Sequence, residues 1–255
     1  MVTETDSPGR GCGPAVADLT GPFLVALLSG DDRGVEEVFG KAAGRGADLA
    51  VLARDLIEPA LDEVGRMWRS GDLSVAEEHL ATALVFSSFS RQAAAVPCPP
   101  LGAPRLLLSC LAGEFHELGV RIVSEVARGA GWQAEVLGAN TPREAAIRFI
   151  AVHGPDAVGL SLALGAHVAE CARTVEEIRK ASPSTKILVG GYAFRHDDVL
   201  CGLTGADACF PDAVALRDWL CAMRPVRDGA AAPSPPACCA SGLPEALRRK
   251  ILAGR

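Results

Sequence analysis

No stretch of this chain approaches the ~20 consecutive apolar residues needed to cross a bilayer, so a membrane-spanning helix is not expected. There is no excess of positive charge either: 25 Lys and Arg stand against 31 Asp and Glu, giving a net charge of −6 and a pI near 5.4. That balance argues against a broad nucleic-acid footprint, which requires a basic face. The nine cysteines show no paired metal-ligand spacing. The start, Met1 to Pro8, has no basic segment followed by an apolar core, so no secretory signal is expected. The expected compartment is the cytoplasm, with thiols reduced and most cysteines serving as small core residues. Internal repeats are absent beyond an alternation of strand and helix.

What is present is a hydrophobic content of 49% in 255 residues, enough for real cores and for two domains of ordinary size. Residues 1–18, rich in Gly, Pro and small polar side chains, read as a disordered arm. Residues 19–96 are helical in pattern, with segments at Phe23 to Leu28, Asp32 to Ala43, Leu49 to Trp68, and from Leu73 or Ser74 to Ala95. Ser74 and Glu77 have capping-box spacing at the start of the last segment. Short connections between four helices imply an antiparallel bundle. Pro97 to Pro104 reads as a linker. Residues 104–223 alternate apolar runs with helix-length segments, the runs being Arg105 to Leu111, Gln133 to Leu137, Ala157 to Leu162, Lys186 to Val189 and Ala206 to Phe210. This pattern predicts an α/β fold, a Rossmann-like parallel sheet of five strands in flavodoxin-like order. Residues 224–255 form a Pro/Ala-rich tail with vicinal Cys238-Cys239 and a basic amphipathic segment from Leu243 to Leu252.

The richest signal is Glu114-Phe115-His116-Glu117-Leu118-Gly119, between the first apolar run and a helical pattern. A histidine there lies at the carboxyl end of a parallel strand, where open α/β sheets bind ligands. A carboxylate two positions earlier can hold one ring nitrogen and leave the other for a metal. Gly119 lets a bulky ligand approach the backbone. Ser161 closes the third apolar run and Gly190-Gly191 the fourth, so three strand ends converge on one crevice.

These residues resemble the cobalamin-binding domain family, whose pattern is an acidic residue, any residue, His, two residues and Gly, then a Ser at a strand end and a Gly-Gly pair. Leu137 to Pro142 and Val189 to Ala193 are similar to that family as well. The resemblance implies His116 as the lower cobalt ligand in place of dimethylbenzimidazole, and Glu114 behind it. It further implies Ser161 as a hydrogen-bond donor to the nucleotide tail, with Gly119, Gly190 and Gly191 giving clearance to that tail. Glutamate rather than aspartate at 114 is a departure that lengthens the arm and keeps the charge.

In the helical region Trp68 precedes Glu78-His79 by nine intervening residues. This spacing resembles the light-sensing adenosylcobalamin proteins of the CarH and LitR type, in which a four-helix bundle covers the upper corrin face. The resemblance implies Trp68 against the adenosyl group, with Glu78 and His79 close by. The DNA-binding helix-turn-helix domain of those proteins has no counterpart in residues 1–18, so direct DNA binding is not expected. Arg69 stands where some members have a second histidine.

Each residue also has an ordinary reading: Trp68 as a core anchor, Glu78 and His79 as a solvated face, and His153, His167 and His196 as structural or surface residues. The expected function is a non-enzymatic, light-responsive sensor that binds adenosylcobalamin and changes its association with a protein partner or with itself. A corrinoid carrier of a methyltransferase system is the alternative, and a regulator sensing cobalamin without light is a third. Resemblance to standalone photocobilins would add a bilin such as biliverdin, although no residue pattern identifies a pocket for it.

Overall fold

The computed structural model describes residues 16–195 and 197–223. The first fifteen residues of the arm, His196, the tail from 224, Cys238-Cys239 and the Leu243 to Leu252 segment lie outside the described residues.

The helical region comprises α1 (Thr20–Leu28), α2 (Asp32–Gly44), α3 (Leu49–Leu52), α4 (Glu58–Ser70) and α5 (Val75–Ala93). Side-chain caps set the starts. The Asp31 carboxylate accepts the Gly34 N–H, Asp48 accepts the Val51 N–H, and Ser74 and Glu77 form the reciprocal capping box anticipated from their spacing. Gly71, at φ 83°, ends α4 in the left-handed conformation. The third segment is not one continuous helix: Ala53–Ile57 form a wide π turn joining α3 to α4. Pro59, in the first turn of α4, lacks the N–H that the Asp55 carbonyl would use in a regular helix, so the backbone loosens there. Phe23 and Phe39, with ring centroids 5.2 Å apart, anchor the bundle core with Leu56, Ile57, Val85 and Phe89.

Five parallel strands follow: β1 (Arg105–Cys110), β2 (Gln133–Gly138), β3 (Ala157–Ser161), β4 (Lys186–Gly190) and β5 (Ala208–Phe210), in the order β2-β1-β3-β4-β5. This is the expected flavodoxin-like order. The connecting helices are α6 (Leu118–Gly129), α7 (Arg143–His153), α8 (Val168–Ala181) and α9 (Asp198–Thr204), and α10 (Ala213–Ala222) follows β5. One sheet face packs Leu107, Val158, Leu160, Ile187 and Val189 beneath α7 and α8. The other packs Leu106, Leu108 and Leu188 against α6 and α10. The bundle core runs on into Ile122 and Val126 of α6 and Ala213 of α10, so the helical region is fused to that side of the sheet by apolar burial.

Two expectations about cysteine are corrected. Cys201 of α9 and Cys209 of β5 form a disulfide instead of standing as reduced thiols. The bond ties α9, which packs on α8, to the edge strand. Of the free cysteines, Cys110 and Cys171 are core residues, but Cys98 and Cys221 are exposed. Among the described residues no helix is long and apolar enough to cross a membrane.

Candidate functional site

Register places Cys110, Ser161 and Gly190 at one level across β1, β3 and β4. The chain moves to opposite sides of β1 when it forms β2 and β3, so a crevice opens at this end of the sheet. The loop after β1 is pinned to its neighbour: the Gly113 N–H donates to Asn140 Oδ1 at 2.8 Å, and the Asn140 N–H to the Glu114 carbonyl at 2.8 Å. Gly113, at φ 83°, makes the turn between the end of β1 and Glu114.

Glu114 is fully buried, yet both oxygens are satisfied. Oε1 accepts His116 Nδ1 at 2.5 Å and the His116 N–H at 3.1 Å; Oε2 accepts the Ala163 N–H at 2.9 Å and His167 Nδ1 at 3.1 Å. Burial pushes this carboxyl upward, but the hydrogen bonds from His116, Ala163 and His167 outweigh it and hold the group at about 2. An ionised carboxylate only accepts, so both imidazoles carry their proton on Nδ1. His116 is thereby left with Nε2 as the ring nitrogen available to a ligand, on a side chain that is 65% exposed.

His116 lines a cavity of about 540 Å³ between the sheet end and the helical region. Its deep part runs between the sheet and α6 and α10, past Leu106, Gly119, Gly159, Ser161 and Leu188. Added side chains would meet atoms at two points, against backbone at Gly191 and against the end of a leucine side chain at Gly159. A Cβ on Gly191, at φ 109°, would stand 2.4 Å from the Leu162 carbonyl oxygen; one on Gly159 would meet Leu108 Cδ2 at 2.6 Å. On the helical side the wall includes Ile57, Glu58, Asp62, Trp68 and Arg69. Arg195, on the loop after β4, reaches that wall: its guanidinium donates to Asp62 at 2.7 Å, pairs with Glu58 at 3.1 Å and lies 5.0 Å from the Tyr192 ring centroid. Burial drives the Glu58 carboxyl up to about 7 despite the opposing pull of Arg195.

The structure therefore brings His116, Gly119, Ser161, Gly190, Gly191 and Trp68 to one cavity, with Glu114 directly behind His116. Glu78 and His79 are not brought there. The capping box starts α5 so that Ala81, Val85 and Phe89 form its buried face; His79 falls on the opposite side, 74% exposed, and Glu78 accepts the Thr82 hydroxyl at 3.0 Å. His167, read from the sequence as a structural or surface residue, has a definite structural part: it is the second imidazole on Glu114. Its sequence signal was its place in the turn following the Ser161 strand end. Glu58, Asp62 and Arg195 had no such signal, because their partnership spans more than a hundred residues.

Among the described residues no group of three His, Cys, Asp or Glu side chains could by itself hold a metal ion. A single imidazole above a glycine-walled apolar slot instead suits a metal that brings its other ligands in a macrocycle and has an appended tail to bury. The residues present fit a corrinoid bound through His116.

Residues 104–217 match the B12 binding domain family, and residues 22–90 match a second B12 binding domain model. The chain is 32% identical over 149 residues to the HTH-type transcriptional repressor CarH of Myxococcus xanthus, covering 58% of this chain and 49% of that protein. It is 22% identical over 177 residues to a corrinoid protein of Desulfitobacterium hafniense, covering 65% of this chain and 80% of that one. Its fold superposes on the monomethylamine corrinoid protein of Methanosarcina barkeri with a TM-score of 0.65 at 16% identity, over 82% of this chain and 99% of that one. The chain thus spans about half the length of the repressor it matches.

Proposed function

We propose that this chain, which carries B12-binding domains over residues 22–90 and 104–217, is a light-responsive cobalamin sensor that works by binding and not by turnover. The observation that carries the reading is Trp68: an indole left half exposed at the end of α4 and turned into the cavity on the side facing the sheet end. A large aromatic placed there offers a flat apolar wall to an upper ligand such as an adenosyl group. Adenosylcobalamin would supply a cobalt–carbon bond that light can break. The protein's part is to hold the lower face through His116, with Glu114 fixing the ring, and to pack Trp68 and the π turn against whatever stands above. Loss of the upper ligand would leave Trp68 without its partner and favour a different packing of α4. A change in association with a protein partner, or with a second copy, then follows from the differential affinity of the two packings.

A carrier role in a methyltransferase system is the second reading. It is supported by the corrinoid proteins to which the chain is similar in sequence and fold, and by the position of Glu78 and His79 outside the cavity, which leaves Trp68 with less company than a dedicated adenosyl pocket would have. The two readings part in one experiment. Light-scattering mass of the adenosylcobalamin-loaded chain, with and without biliverdin, is measured in darkness and after green light; the sensor reading expects a changed mass or hydrodynamic radius. Unchanged values after complete photolysis, together with fast methyl transfer from the methylcobalamin form to a thiol acceptor, would establish the carrier.

A further inference from the structure

The helical region meets the rest of the chain in two different ways. On the α6 and α10 side the contact is a continuous apolar core through Ile122, Val126 and Ala213, reinforced by Arg217 on Asp48 and by Arg121 over the Phe86 ring at 5.5 Å. Parting the two regions there would expose buried apolar surface. At the cavity wall the contact is ionic: Arg195 leaves the loop after Gly190-Gly191 and grips Glu58 and Asp62, one turn apart on α4. Arg195 is only 19% exposed, and its partners belong to the helix that the π turn has already loosened at its root.

We propose that Arg195, Glu58 and Asp62 form an electrostatic latch that holds the helical region over the cavity, with the apolar contact at α6 and α10 as the hinge, and that the latch must release for a corrinoid to enter or leave. One ion-pair cluster can open without disturbing either core, whereas parting the apolar contact would expose both. This deepens the reading of the cavity as a cobalamin site but requires no response to light. The latch also carries its own bias. Glu58 faces Arg195 and Arg54, which favour its charge, and Asp62 of its own helix and Asp212 at the start of α10, which oppose it. One guanidinium neutralises one carboxylate, so the second charge is the one the closed cavity resists. Because the closed-state value lies at about 7 against an ordinary 4.5, the closed form holds the proton more tightly, and closure weakens as pH rises through that window.

The test uses the full chain in darkness with hydroxocobalamin, whose visible spectrum shifts on binding. Arg195→Gln is expected to accelerate both uptake and release by on the order of tenfold, with the equilibrium affinity moving far less, because a latch raises the barrier in both directions. The charge exchange Asp62→Arg with Arg195→Asp should recover slow rates. Wild-type release should quicken between about pH 5 and 7 and level off above that, and Glu58→Gln should flatten that dependence. Should Arg195→Gln fold poorly by thermal melt, Asp62→Asn supplies the same comparison. Faster release with unchanged uptake would make Arg195 a simple ligand contact and overturn the latch, as would unaltered rates in both variants. Failure to bind hydroxocobalamin at all would refute the cobalamin site itself, a different outcome from either.

Discussion

Replacing Glu114 by glutamine tests the site at its most constrained point. The carboxylate is fully buried and takes four hydrogen bonds, two on each oxygen. An amide has one oxygen to offer; whichever way it is turned, its NH2 faces a backbone N–H, of His116 or of Ala163, together with an imidazole nitrogen. A carboxyl held at about 2 in place of the ordinary 4.5 contributes about 3 kcal/mol of folding stability at neutral pH, each tenfold in proton affinity being worth about 1.4 kcal/mol. The folded value is depressed, so this stability is fully present above the unfolded value of 4.5 and disappears as pH falls toward 2. About 1 kcal/mol of it is gone at pH 4 and about 2 kcal/mol at pH 3. Equilibrium urea unfolding of the cofactor-free protein should show Glu114→Gln less stable than wild type by about 3 kcal/mol at pH 7, with the gap closing along that curve. A gap that is absent at pH 7, or equally large at pH 3, would refute the account of how the carboxylate is held. Cobalamin affinity should fall by roughly tenfold as well, because the ring loses the partner that fixes its tautomer and raises its basicity.

Three further outcomes follow from the same geometry. His116→Ala should abolish imidazole ligation: the cobalt(II) form of the loaded variant should lack the nitrogen splitting of a bound imidazole in its electron paramagnetic resonance spectrum, and its persistence would assign the ligand elsewhere. Trp68→Ala should lower the preference for adenosylcobalamin over methylcobalamin by about 1–3 kcal/mol in competition titrations, the scale of losing a packed apolar side chain, whereas equal losses for both would make the indole a general wall. Gly191→Ala, forcing a Cβ to 2.4 Å from the Leu162 carbonyl at positive φ, should lower stability by roughly 2 kcal/mol or more in thermal melts, clearly more than Gly190→Ala, whose Cβ meets only the Phe210 carbonyl at 3.1 Å.

Much of this arrangement was legible because it is local. Apolar runs of five or six residues ending in Ser161 or Gly190 mark buried parallel strands whatever lies around them, and the alternation with amphipathic helices yields the strand order through the ordinary rules of crossover connection. Glu114 and His116 lie two residues apart, so their contact is nearly settled by the chain itself. The features that escaped depend on distance or on small displacements of helix phase. His167 meets Glu114 only because β1 and β3 are neighbours; Arg195 meets Asp62 only because two regions close on one cavity. Glu78 and His79 are in the right stretch of sequence, but the rotation of α5 set by its cap carries His79 to solvent. The π turn at Ala53–Ile57 leaves no trace in apolar periodicity, and Pro59 is its one local sign. The Cys201–Cys209 bond likewise depends on where α9 and β5 lie in the fold, which spacing alone does not reveal.

The central claim, that the chain holds adenosylcobalamin through His116 and responds to light, is tested most directly by the visible spectrum of the loaded full-length protein before and after green light. The dark spectrum should be base-off and imidazole-ligated and should convert on illumination to a stable photoproduct still bound to the protein, with the dark form lost in His116→Ala. A dark spectrum identical to free adenosylcobalamin, or photolysis no different from that of the cofactor in buffer, would contradict it.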